Sequence, residues 1–136
     1  MLVSNGGRMR ILVAEDERIN QLYMKHLLAG AGHEVVLAST GAEAIEMLRE
    51  QPCDIVLMDV QMPEMDGIEA SRRVRAGEAG EAVARVPIVA LTAFATSDEP
   101  HEYAAAGVNR SVTKPLEERR LFALLEELAG ETEDLG

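Results

Sequence analysis

Four short apolar runs punctuate the chain: Ile11 to Ala14, Val35 to Ala38, Ile55 to Met58 and Ile88 to Leu91. Each is too short for a helix and rich in β-branched residues, which pack well on a pleated surface, so each is predicted to be a buried strand. A weaker run, Ser111 to Thr113, is bracketed by Asn109 and Pro115 and is predicted to be a short fifth strand. Helical spacing fills the intervals. An apolar stripe of Ile19, Leu22, Tyr23, Leu27 and Leu28 marks a first helix, with Gly30 and Gly32 as its stop signal. Ala44, Ile45 and Leu48 mark a second, which starts at Thr40 because Glu43 stands three residues on, at capping-box spacing; Pro52 helps to end it. Ile68 to Ala76 forms a third helix, and the glycines of Gly77 to Arg85 interrupt any stripe and predict a loop. Ser97 to Ala106 forms a fourth, with Pro100 in its first turn and Gly107 closing it, and Leu116 to Leu128 forms the last.

Alternation of five strands with five helices implies right-handed crossovers and hence a doubly wound α/β domain, with a parallel sheet covered on both faces. In such sheets ligands bind beyond the carboxyl ends of the strands. Met1 to Met9 reads as a polar lead-in and Glu131 to Gly136 as an acidic tail, frayed ends or linker remnants around a domain over residues 10–129.

At 136 residues the chain is long enough to bury a core without staples, and 47% apolar with 27% charged residues is a globular balance. Asp and Glu number 24 against 13 Lys and Arg, and a formal net charge of -11 without a basic patch argues against nucleic acid as a partner. A lone Cys53 and the lack of a leader-like N-terminal run point to the cytoplasm, and no apolar segment approaches the roughly 20 residues that span a bilayer. Cys53 reads as a small buried filler, and His26, His33 and His101 are scattered without metal or nucleophile spacing.

The strand ends carry the chemistry. The first runs into Glu15, Asp16 and Glu17, the third ends at Asp59, the fourth at Thr92, and the fifth is followed by Lys114 and Pro115. Carboxylates gathered at one rim repel, so a fold that assembles them places a cation among them, and oxygen ligands without EF-hand spacing suggest Mg²⁺. A carboxylate beside a metal and a lysine can attack phosphorus to give an acyl phosphate. Lys114 then serves as counter-charge and Thr92 as a hydroxyl donor to the phosphoryl group.

Through AEDE at 14 to 17, MDVQMPEMDG at 58 to 67, ALTA at 90 to 93 and TKP at 113 to 115, the chain resembles the receiver domain of two-component response regulators. The resemblance covers all but the two ends. It implies a flavodoxin-like five-stranded sheet of order 2-1-3-4-5. It also implies that Asp59 is the phosphoacceptor, that Glu15 and Asp16 hold Mg²⁺ (or Mn²⁺) with Asp16 the direct ligand, and that Gln61 supplies a backbone carbonyl. Thr92 and Lys114 would grip the phosphoryl oxygens, and the bond before Pro115 is commonly cis in the family. The implied partner is a histidine kinase or histidine phosphotransfer protein, and a phosphorylation-dependent dimer is left open. One position departs. Receivers usually carry an aromatic residue three places before the lysine, coupled to the threonine as a switch; here it is Ser111. Another element must then report the state of Asp59, and Phe94 is the candidate, either as reporter or as a bulky neighbour slowing hydrolysis.

Two rival functions fit the fold. Phosphatases and phosphotransferases that form an aspartyl phosphate resemble one another in a second aspartate two residues past the nucleophile, where this chain has Gln61. A flavin-binding module needs a phosphate loop after the first strand, where Glu15, Asp16 and Glu17 would repel phosphate. The last predicted helix lies close to the end of the sequence, so the expectation is a single-domain regulator or the receiver of a hybrid sensor kinase, with the MDVQMPEMDG wording favouring the latter.

Overall fold

In the computed structural model, residues 8–93, 99–114 and 116–135 are described, side chains of 99–101 and 130–135 excepted. Phe94, Pro115 and the expected helix start at Ser97 lie outside them. The strands are β1 (Arg10–Ala14), β2 (Glu34–Ala38), β3 (Ile55–Asp59), β4 (Ile88–Thr92) and β5 (Arg110–Thr113). They alternate with α1 (Arg18–Gly30), α2 (Gly41–Glu50), α3 (Gly67–Arg75), α4 (Glu99–Ala105) and α5 (Glu118–Leu135). All neighbouring strands are parallel, in the order β2-β1-β3-β4-β5, so β3 is central and Asp59 ends it.

The two faces of the sheet build two cores. Leu12, Ala14, Val56, Met58 and Ile88 meet α2 and α3 on one side, through Ala44, Leu48, Ala70 and Val74. Ile11, Val13, Ile55, Leu57, Val89 and Leu91 meet α1 and α5 on the other, through Met24, Leu28, Leu121 and Leu125. Successive residues of one strand thus serve opposite cores, as a pleated strand buried on both faces requires.

Helix α2 begins as its sequence predicts: the Thr40 hydroxyl accepts the Glu43 N–H at 3.0 Å, while the Glu43 carboxylate accepts the Ser39 N–H at 2.7 Å, one residue earlier than in the standard capping box. Helix α3 is capped by Asp66, whose side chain accepts the Glu69 N–H. The loop over Gly77 to Arg85 contains a short 3-10 turn, Glu81–Val83.

Beyond shifts of one residue at the ends of the strands and of α3, several boundaries and faces differ from expectation. Met9, read as lead-in, is buried, and its carbonyl and N–H bond Glu34 and the His33 ring. Helix α5 starts at Glu118 rather than Leu116 and continues past Leu128 to Leu135, through the stretch read as a tail. Within the described residues, α4 starts at Glu99 and is one residue shorter at its end. The largest difference is in α1. Ile19, Leu22 and Tyr23 are 80%, 46% and 49% exposed, whereas Gln21, Met24 and Leu28 form the buried face. Gln21 is taken inside because its amide donates to the Glu15 carbonyl at 2.6 Å and to the Ser39 hydroxyl at 3.0 Å, satisfying groups where β1 and β2 end.

Candidate functional site

Parallel pairing brings the carboxyl ends of β1, β3, β4 and β5 to one rim, and loop backbone bonds tighten it. The Val60 N–H donates to the Leu91 carbonyl at 3.0 Å, and the Lys114 N–H to the Thr92 carbonyl at 2.7 Å, so the residues after β3 and β5 are both anchored to β4. The Gly67 N–H donates to the Val60 carbonyl, folding the loop back under Asp59. A Cβ at Gly67 would lie 2.2 Å from the Asp59 carbonyl oxygen, so only glycine allows that approach. Within the loop Glu64 adopts φ 68, the left-handed conformation that side chains disfavour. Met58 and Met62 are buried beneath it, with Met65 packed against them.

At this rim Lys114 reaches two carboxylates. Its ammonium lies 2.9 Å from Asp59 Oδ2 and 3.2 Å from Glu15 Oε1, across 55 and 99 residues of sequence. Burial works against the Lys114 charge, but the hydrogen bonds and charges of Asp59 and Glu15 outweigh it and raise its pKa above that of an ordinary lysine. Asp59, itself buried, accepts the Gln61 N–H at 3.1 Å through its other oxygen. Glu15 is 2% exposed and accepts the Glu17 N–H at 3.0 Å. Asp16 is exposed at the mouth.

Carboxylate oxygens of Glu15, Asp16 and Asp59 lie within 4.8 Å of one another. One ammonium faces three carboxylates there, so the cluster keeps an excess of negative charge, and its hard oxygen donors fit a divalent cation such as Mg²⁺. Thr92 is buried at the end of β4, and the Tyr103 hydroxyl of α4 lies 3.5 Å from its Oγ1. The structure thus gathers Glu15, Asp16, Asp59, Gln61, Thr92 and Lys114 at one edge. Ser111 is exposed on β5 in register with Ala90 and makes no part of this cluster among the described residues. Nothing in the sequence singles out Tyr103, since an aromatic in a helical stripe reads as core.

Beside the cluster a cavity of about 430 Å³ opens between α1 and the start of α5, lined by Glu15, Tyr23, Met24, Lys114 and Leu116 among others. Cys53 is buried as a filler, with its thiol pushed up to about 12 by burial.

Comparison with known proteins agrees with this geometry. The family model described as response regulator receiver domain matches residues 11–126. Sensor protein GacS of Pseudomonas syringae pv. syringae is 41% identical over 112 residues, 82% of this chain but 12% of that protein. The chain therefore spans about an eighth of the length of such curated relatives. The crystal structure of the receiver domain of sensor histidine kinase PA1611 from Pseudomonas aeruginosa PAO1, with magnesium coordinated in its active site cleft, is similar at 34% identity and a TM-score of 0.81, covering 91% of this chain and 99% of that one. Chemotaxis protein CheY4 of Vibrio cholerae is similar at 27% identity and a TM-score of 0.81, covering 90% and 99%. No helix among the described residues is long and apolar enough to cross a membrane.

Proposed function

The chain belongs to the response regulator receiver domain family, a phosphoacceptor module of two-component systems, and on that premise we propose that Asp59 takes a phosphoryl group from a phosphohistidine on a kinase or histidine phosphotransfer protein. The observation that carries this is the Lys114 ammonium 2.9 Å from Asp59 Oδ2, inside the same cluster as Glu15 and Asp16. Asp16, Asp59 and the Gln61 carbonyl would hold Mg²⁺, or Mn²⁺ in its place. Glu15, whose carboxylate lies in the same cluster, would add its negative charge to the site. When bound, the cation neutralises charge on the attacking carboxylate and the transferred group.

An Asp59 oxygen forms a bond to phosphorus as the phosphorus–nitrogen bond to the imidazole breaks, and the bonding pair leaves with the ring nitrogen. The Gln61 N–H and Lys114 fix the carboxylate for that attack, and Lys114 with the Thr92 hydroxyl meets charge on the phosphoryl oxygens. Turnover of external substrates is disfavoured by Gln61 at the position where the related phosphatases carry their general acid.

The partner would approach over α1. Ile19, Leu22 and Tyr23 leave large apolar surface in water next to the cavity that shares Glu15 and Lys114 with the site, a surface suited to a helical partner carrying the histidine. The relatives that are sensor kinases support a hybrid-kinase parent, and the lone Cys53 is the feature that favours a cytoplasmic place for this domain.

Incubation with a small phosphodonor and Mg²⁺, followed by intact mass measurement, tests the central claim. The parent protein gains one phosphoryl group and Asp59→Asn gains none. A group on both proteins, or on neither, rejects it.

A further inference from the structure

Register and packing together place Ser111 and Tyr103 on the same side of the sheet. Leu91 pairs with Val112, and both enter the core under α1 and α5. Ala90 pairs with Ser111, and Ala90 packs instead with Ile68, Tyr103 and Ala106. The side of the sheet on which receivers carry their switch aromatic is therefore served here by an aromatic from α4. Tyr103 is 4% exposed, wedged between α3 and β4, and its hydroxyl reaches Thr92 Oγ1 from within that cluster.

We propose that Tyr103 is the positioning residue through which the state of Asp59 is read: its hydroxyl donates to Thr92 Oγ1 while Asp59 is unmodified, and loses that acceptor when the Thr92 side chain turns to donate its own proton to a phosphoryl oxygen. This rests on Asp59 being the phosphoacceptor. At 3.5 Å the contact is longer than an ordinary hydrogen bond between hydroxyls, about 2.5–3.0 Å, and is correspondingly weak and easily given up. A phosphoryl oxygen is charged, and hydrogen bonds to charged acceptors are roughly twice as strong as neutral ones, so the exchange favours the phosphoryl group. Thr92 then turns toward Asp59, and the Tyr103 ring loses one of the ties that fix it against β4. Because Tyr103 lies within α4, a displaced ring moves the helix, in a core too densely packed to absorb the change locally. The missing ring on β5 is thereby replaced by a shorter route, from β4 to α4 directly.

The chain contains two tyrosines, Tyr23 and Tyr103, and no tryptophan. Protein labelled with 3-fluorotyrosine therefore gives two fluorine resonances, and Tyr23→Phe assigns the one from Tyr103. Spectra are recorded before and after incubation with a small phosphodonor and Mg²⁺, with intact mass taken on the same samples. The Tyr103 resonance is expected to shift on phosphorylation, to stay put in Asp59→Asn, and to be shifted already in Thr92→Val, while Thr92→Ser restores the parent spectrum. Tyr103→Phe is expected to accept the phosphoryl group but to lose most of the phosphorylation-induced amide shifts along α4. An unmoved Tyr103 resonance in protein that mass shows to be phosphorylated overturns this inference and leaves the phosphoacceptor reading standing. So does failure of Tyr103→Phe alone to accept the group. Absence of any phosphoryl group on the parent overturns both.

Discussion

Two residues outside the acidic cluster control it or the fold around it through backbone contacts. Gly67 is confined because a methyl group there would press on the Asp59 carbonyl oxygen and on the Met58 side chain. Gly67→Ala is expected to cost about 1–3 kcal/mol, the usual range for overpacking a filled site, and to slow phosphoryl uptake because relief requires Asp59 to move. Urea unfolding and mass-monitored uptake check the two effects separately; an uptake rate equal to the parent's would show that the strain is relieved away from Asp59. His33 works differently. Its Nδ1 accepts the Met9 N–H at 3.1 Å, which a proton on that nitrogen would prevent, and burial holds its pKa below the ordinary 6.5. The unfolded chain then binds a proton more readily than the folded one. Stability from this residue is full above about pH 6.5 and is lost as pH falls toward the lowered value. Unfolding midpoints between neutral and mildly acidic pH should fall more steeply in the parent than in His33→Asn, whose side-chain oxygen can accept the same N–H without titrating.

Between elements, the tie that stands out is Arg75 at the end of α3. Its guanidinium donates to the Gly107 carbonyl at 2.7 and 3.0 Å, to the Ala84 carbonyl at 3.0 Å and to Asn109 Oδ1 at 2.9 Å, while Asn109 Oδ1 also accepts the Ile88 N–H. One side chain thus pins the turn after α4 to the starts of β4 and β5. The planar fork satisfies acceptors in three directions, which a lysine cannot. Arg75→Lys should therefore destabilise the domain by about 1–3 kcal/mol and speed amide exchange in the turn around Gly107 and Val108. Exchange no faster there than in the parent would mean that the turn holds itself. Nothing in the sequence pattern marks this clamp, because an arginine at a helix end reads as solvated charge. The same blindness explains α1. Apolar spacing identified the helix but pointed to Ile19, Leu22 and Tyr23, whereas the buried position was won by Gln21 through hydrogen bonds to strand-end backbone that periodicity does not register. The strands were legible because burial on both faces makes them uniform apolar runs. Asp59, Asp16 and Lys114 were legible because the ends of those runs fix where the rim must be.

For the molecule as a whole, the acidic cluster sits in a strongly negative field. The formal net charge of -11 attracts divalent cations from a distance, and the excess of carboxylates over Lys114 holds them locally. Salt separates the two contributions. The Debye length shrinks from about 30 Å at 0.01 M to about 8 Å at 0.15 M, so distant charges are silenced while those inside the cluster are not. Calorimetric titration should show Mg²⁺ affinity weakening several-fold over that range and then levelling off. Lys114→Met should bind Mg²⁺ more tightly at both salt concentrations, since an ammonium 2.9 Å from Asp59 Oδ2 repels the incoming ion, yet the salt-dependent part of the affinity should change little. If affinity were indifferent to salt in both proteins, the global charge would contribute nothing at the rim, and solubility would be its remaining physical role. If Lys114→Met instead bound Mg²⁺ more weakly, the ammonium would be organising the carboxylates rather than competing for them, because the repulsion among three acidic groups it now restrains would have pulled the ligand set apart.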